Sequence, residues 1–119
     1  MANVVEQNKT YQVHADALFE YCVSALELDT LNTELKRGDL HSGRLSGRIP
    51  KVKGSWFDIE IEIVPITSTE SRISIKLYPL GAWYGNRAPL GGGKQAEEKM
   101  GVIFSAIDEI IRRAHIKYS

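Results

Sequence analysis

A single cysteine, Cys22, stands among 119 residues, which rules out an internal disulfide framework and a cysteine-rich zinc site. Charge of one sign is also missing. Lysine plus arginine and aspartate plus glutamate number 15 each, for a net charge of zero, so there is no basic footprint for nucleic acid. No apolar run approaches bilayer-spanning length, and the opening "MANVVEQNKTYQV" lacks the apolar core of a signal peptide. These absences predict a cytoplasmic protein without a membrane span. No segment repeats at a fixed period or falls in complexity. One domain over residues 1–119 is expected, since a chain of this length supports one proper core.

Chemical signatures are equally sparse. His14, His41 and His115 fall on three different segments without a shared ligand spacing. A serine-hydrolase elbow, G-x-S-x-G, is absent. Asp58, Glu60 and Glu62 alternate and so share a strand face, but without a pocket to raise one pKa they read as a solvated stripe. Arg44, Arg48, Lys51 and Lys53 lie near Trp56, a pattern seen in single-strand binders, yet the same acids oppose phosphate. No catalytic residue, metal site or cofactor is predicted.

What is there is a clear pattern of elements. "KTYQVH" (Lys9–His14) alternates as a short strand, with Tyr11 and Val13 on one face. Asp16 is a candidate cap for a helix ending near Leu28 or Asp29, on which Leu18, Phe19, Cys22, Val23 and Leu26 form an apolar stripe. Cys22 on that stripe reads as a buried hydrophobe rather than a reactive thiol. Leu31–Lys36 alternates, Gly38, Asp39 and Gly43 mark a turn, and "RLSGRI" returns as the paired strand.

The strongest strand is Trp56–Val64, with Phe57, Ile59, Ile61 and Ile63 on one face and three acids on the other. "RISIKLYPL" answers it, with Ile73, Ile75 and Leu77 inward and Arg72, Ser74, Lys76 and Tyr78 outward. From Lys94 onward Met100, Ile103, Phe104, Ile107, Ile110, Ile111 and Ala114 make one helical stripe. Glu97 and Glu98 are expected in its first turn and Arg112, Arg113 and Lys117 near its end, matched to the helix dipole. Gly101 inside this helix costs about 1 kcal/mol against alanine, and a neighbouring backbone approaching closely is its expected reason. The order strand, helix, four strands, helix gives a two-layer α+β domain, an antiparallel sheet of about five strands with both helices on one face.

"APLGGGKQAEEKM" tests as a phosphate loop and fails. A Walker A loop needs glycine where Ala88 stands and a hydroxyl where Gln95 stands. Gly91-x-Gly93-x-x-Ala96 fits the dinucleotide pattern formally, but no strand enters the loop directly and no second strand follows the helix. A generic anion site at the helix start, with Lys94, remains. The connection "PLGAWYGNRAPLGGG" is long for a compact domain, and such loops are often functional. Trp83, Tyr84 and Arg87 are residue types favoured at binding hot spots. They and Lys94 are the candidate ligand-binding residues; a plug over the sheet's open end is the alternative role for the loop.

The run "SGRLSGRIPKVKGSWFDIEIEIVPITSTESRISIKL", with "LFEYCVSALELD" before it and "WYGNRA" and a long helix after it, resembles compact bacterial members of the START-like, or helix-grip, superfamily. The shared features are a first strand leading into a short helix, a hairpin of the form "sG.i.G", further strands and a closing helix. The resemblance implies a curved antiparallel sheet gripping the C-terminal helix, often around an apolar cavity for lipids or other hydrophobic ligands. This chain lacks a strand pair that larger members have. The same element order also resembles the TATA-binding-protein-like fold. Two functions follow as expectations: a small apolar or amphipathic ligand held between sheet and helix, or a protein-interaction or self-associating module with a second copy as partner.

Overall fold

The computed structural model describes residues 4–28, 31–50, 55–81 and 92–118. Its elements are β1 (Val5–Tyr11), α1 (Ala15–Leu26), β2 (Glu34–Asp39), β3 (Arg44–Pro50), β4 (Ser55–Pro65), β5 (Ser71–Gly81) and α2 (Gly92–Tyr118). The strands form one antiparallel sheet in the order β1-β5-β4-β3-β2. Both helices pack on the same face and against each other. The architecture is the expected two-layer α+β domain.

Strand alternation decides which face is dry. Leu45 and Ile49 of β3, Phe57, Ile59, Ile61 and Ile63 of β4, and Ile73, Ile75 and Leu77 of β5 are all buried. They meet Leu18, Phe19, Cys22, Ala25 and Leu26 of α1 and Ala96, Met100, Ile103, Phe104, Ala106 and Ile107 of α2. Beyond Ile107 the stripe of α2 is half-buried, at Ile110, Ile111 and Ala114.

The hairpin glycines act by close approach. Gly43 holds φ +70°, and a Cβ there would sit 2.5 Å from the Ile63 carbonyl oxygen. Its own carbonyl accepts from the Ile63 amide at 2.8 Å. Gly47 lets β2 cross so near that a Cβ would meet the Glu34 oxygen at 2.7 Å. The "sG.i.G" signature is therefore a requirement of packing β2 over β3 and β3 against β4.

Several local expectations are corrected. β1 begins earlier and ends at Tyr11, leaving Val13 in a bend packed on the core. His14, not Asp16, caps α1: its imidazole Nδ1 accepts from the Asp16 amide at 3.2 Å. Helix α1 stops at Leu26. β2 runs to Asp39, so Gly38 and Asp39 belong to the strand and the turn follows them. Helix α2 starts at Gly92, which moves Glu97 and Glu98 out of its first turn. A Cβ on Gly101 would meet nothing within 4 Å among the described residues, so no described neighbouring backbone explains it.

Candidate functional site

Among the described residues the interior between sheet and α2 is built from apolar side chains, with Ser71 the exception. Asp108 fixes how the helix lies. Its carboxylate takes a hydrogen bond from the Tyr11 hydroxyl at 2.8 Å and pairs with the Lys9 ammonium at 3.0 Å. The same ammonium sits 5.1 Å from the Tyr11 ring centroid and 6.0 Å from that of Phe104. Residue 108 is thereby clasped to the Tyr11–Ser71 end of the sheet.

Burial, then the Asp108 carboxylate it bonds, pushes the Tyr11 phenol well above its usual range. Burial pushes the Cys22 thiol up to about 12, so it stays a protonated core group, as its place on the stripe implied. Among the described residues Ser71 is the buried polar one; its hydroxyl lacks a hydrogen-bond partner.

The opposite face of the sheet is wet and charged. The row Glu6–Lys76–Glu60–Ser46–Arg37 runs straight across all five strands. Around it lies an open groove of about 380 Å³ that Arg44, Glu62 and Ser74 also line. Its charges answer one another. Arg44 pairs with Glu62 at 3.3 Å, Tyr78 donates to Glu60 at 2.7 Å and Ser74 to Glu6 at 3.2 Å. Arg48 pairs with Asp58 at 3.2 Å. The acids of β4 are thus a solvated stripe, with Asp58 and Glu62 ion-paired to β3. We place the candidate ligand site in the apolar interior, because this groove's acids are already engaged and it offers no one chemistry.

Trp83, Tyr84 and Arg87 lie outside the described residues. Lys94 is the third residue of α2, its side chain likewise outside them. Lys51 and Lys53 and the side chains of Trp56 and His115 also fall outside. His41 lies in the β2–β3 turn, where its amide donates to the Asp39 carboxylate at 3.0 Å. The clasp of Lys9, Tyr11 and Asp108 was missed by sequence reasoning, since its members stand 97 and 99 positions apart. The one available signal was an acid following directly on the α2 apolar stripe.

No protein-family model and no curated protein matches the sequence. Solved structures do. A START superfamily protein from Mycobacterium smegmatis superposes with a TM-score of 0.67 at 9% identity, over 93% of this chain and 98% of that one. The Zhui aromatase/cyclase from Streptomyces sp. R1128 gives 0.64 at 14% identity, over 96% of each chain.

The fold is the START-like helix grip. Ara h 8.0201 shares it too, with a TM-score of 0.65 at 9% identity over 94% of this chain and 99% of that one. The choice left open by element order therefore falls to the helix grip over the TATA-binding-protein-like arrangement. At these identities the likeness speaks for the fold alone.

Proposed function

We propose that this helix-grip domain binds a hydrophobic or amphipathic small molecule between its sheet and α2. One observation carries the reading: among the described residues the buried walls of that interior, on β3, β4, β5, α1 and α2, are apolar apart from the Ser71 hydroxyl at one end of β5, and no charged group is buried there. Whatever enters is selected for apolar surface, at about 25 cal/mol per Å² removed from water. The described core is packed, so entry requires the first turns of α2 to move outward. Trp83, Tyr84, Arg87 and Lys94 are the proposed contacts, because their segment joins the strand and the helix that form the two walls. The same fold is found in a START superfamily protein and in an aromatase/cyclase.

The test uses laurate and a naphthalene-sulfonate dye. Saturable dye fluorescence displaced by laurate, with amide-exchange protection gained between Gly81 and Gly93, is the expected result. Absence of displaceable dye overturns the reading; full protection of that segment in the free protein reduces it to a plug. A second reading, a self-associating module, is favoured by the open edge of β1.

A further inference from the structure

We infer that two copies of this chain join through β1, edge to edge, with their α2 helices in contact across the same two-fold axis. The inference deepens the self-association reading and is independent of the ligand reading.

The two edges of the sheet differ. Strand β2 carries Glu34, Lys36, Arg37 and Asp39 in six residues and a register shift between Leu35 and Arg37. Charges and bulges of that kind blunt an edge against pairing. Strand β1 carries only two charges in seven residues, Glu6 and Lys9, and no bulge. It pairs with β5 without a shift from Val5 to Tyr11 and contains no proline. Its inward-facing charge, Lys9, is drawn over the Tyr11 and Phe104 rings to Asp108 rather than standing guard.

Symmetry fixes the register. An antiparallel pairing of β1 with its copy must oppose residues of like face, so the axis passes through a residue pair. An axis at Lys9 sets ammonium against ammonium, and one at Gln7 leaves two residues of the strand unpaired. An axis at Asn8 pairs all seven: Val5 with Tyr11, Glu6 with Thr10, Gln7 with Lys9, and Asn8 with its own mate. No like charges oppose.

Gly101 supplies the independent observation. It sits exposed inside a 27-residue helix, and none of the described residues gives it a reason to be glycine. Gly101, Ser105, Asp108 and Arg112 follow at spacings of three and four and so share one flank. Asp108 shows that this flank lies on the β1 side. Helix α2 contacts both β5 and β1. With strands about 4.8 Å apart, its axis lies roughly 5 Å from the two-fold and the paired helices about 10 Å apart. That is packing distance, and small residues at the crossing permit it. An antiparallel pairing centred near Ser105 also brings Glu97 and Glu98 toward Arg112 and Arg113 of the second copy.

Light scattering on the eluting full chain at about 100 µM, far above a micromolar dissociation constant, should give twice the 13.3 kDa of one chain. Asn8→Lys, which places like charges on the axis, and Gly101→Leu, which fills the helix crossing, should each weaken the dimer tenfold or more. The leucine variant should meanwhile hold or raise the thermal midpoint at low concentration, which separates lost association from lost folding. Asn8→Cys should oxidise to a covalent dimer, whereas Glu34→Cys on the other edge should not. A monomer at that concentration overturns the inference, and a monomer that still binds laurate does so while leaving the ligand reading intact. A dimer indifferent to both substitutions and not linked through position 8 overturns it as well.

Discussion

Gly43→Ala should cost about 1.5–3.5 kcal/mol, although it adds only a methyl group to a half-buried turn. The residue holds φ +70°, where a Cβ costs about 1–2 kcal/mol by crowding the following carbonyl. That Cβ would also stand 2.5 Å from the Ile63 oxygen, so the β2–β3 turn must move away from β4. The movement stretches the 2.8 Å bond from the Ile63 amide to the Gly43 carbonyl, worth about 0.5–1.5 kcal/mol net. The sum is a sizeable part of the ~5–15 kcal/mol that holds a domain folded. Urea unfolding followed by far-ultraviolet dichroism measures it, with the m-value shared between variants. Gly43→Asn is the control. Asparagine keeps the clash but tolerates the left-handed region, so it should recover the conformational part alone. An alanine variant within about half a kcal/mol of the parent, below the smallest of these costs, would refute the assignment of Gly43 as a close-approach residue.

Ile107→Ala, at a fully buried position facing the sheet, should cost about 2–5 kcal/mol in the same assay; a change under half a kcal/mol would mean that α2 docks elsewhere. Tyr11→Phe removes the donor to Asp108 while leaving Lys9 in place, and about 1 kcal/mol should be lost. The folded protein raises the Tyr11 phenol above its usual range, so that contribution is complete below about pH 10 and lost as pH climbs beyond it. Alkaline titration of stability should therefore fall less steeply in the phenylalanine variant, although Cys22, raised to about 12 by burial, keeps part of the slope. Gly101→Ala should stabilise the chain by about 0.5–1 kcal/mol at low concentration; a loss would show a contact that the open space around it does not reveal.

The fold was legible because its strands alternate strictly. Phe57 to Ile63 and Ile73 to Leu77 announced the buried face, and the spacing of Met100, Ile103, Phe104 and Ile107 could suit only a helix. Caps and boundaries were less so. Asp16 is the better capping residue by preference, but the chain enters α1 two residues earlier and His14 takes the role. The bounds of β2 were misread because its bulge at Lys36 interrupts the alternation that sequence patterns rely on. Gly101 misled because a costly helical glycine invites an intramolecular reason. The candidate site was legible only as residue types, since a pairing such as Tyr11 with Asp108 depends on how α2 crosses the sheet, and composition carries no such angle.

The row of charges on the outer face has an effect at distances beyond the groove itself. Glu6, Lys76, Glu60 and Arg37 alternate in sign at intervals of one or two strands, and adjacent strands lie only about 4.8 Å apart. Seen from farther than that spacing, each charge is erased by its neighbour. The cancellation is finished within the ~8 Å over which physiological salt acts, so dissolved ions have little left to screen. This face therefore neither draws in nor repels a charged visitor, and encounters there are set by diffusion and shape at any ionic strength. A molecule with an apolar core thus presents to the solution, on this side of its sheet, a face that is densely charged yet nearly silent.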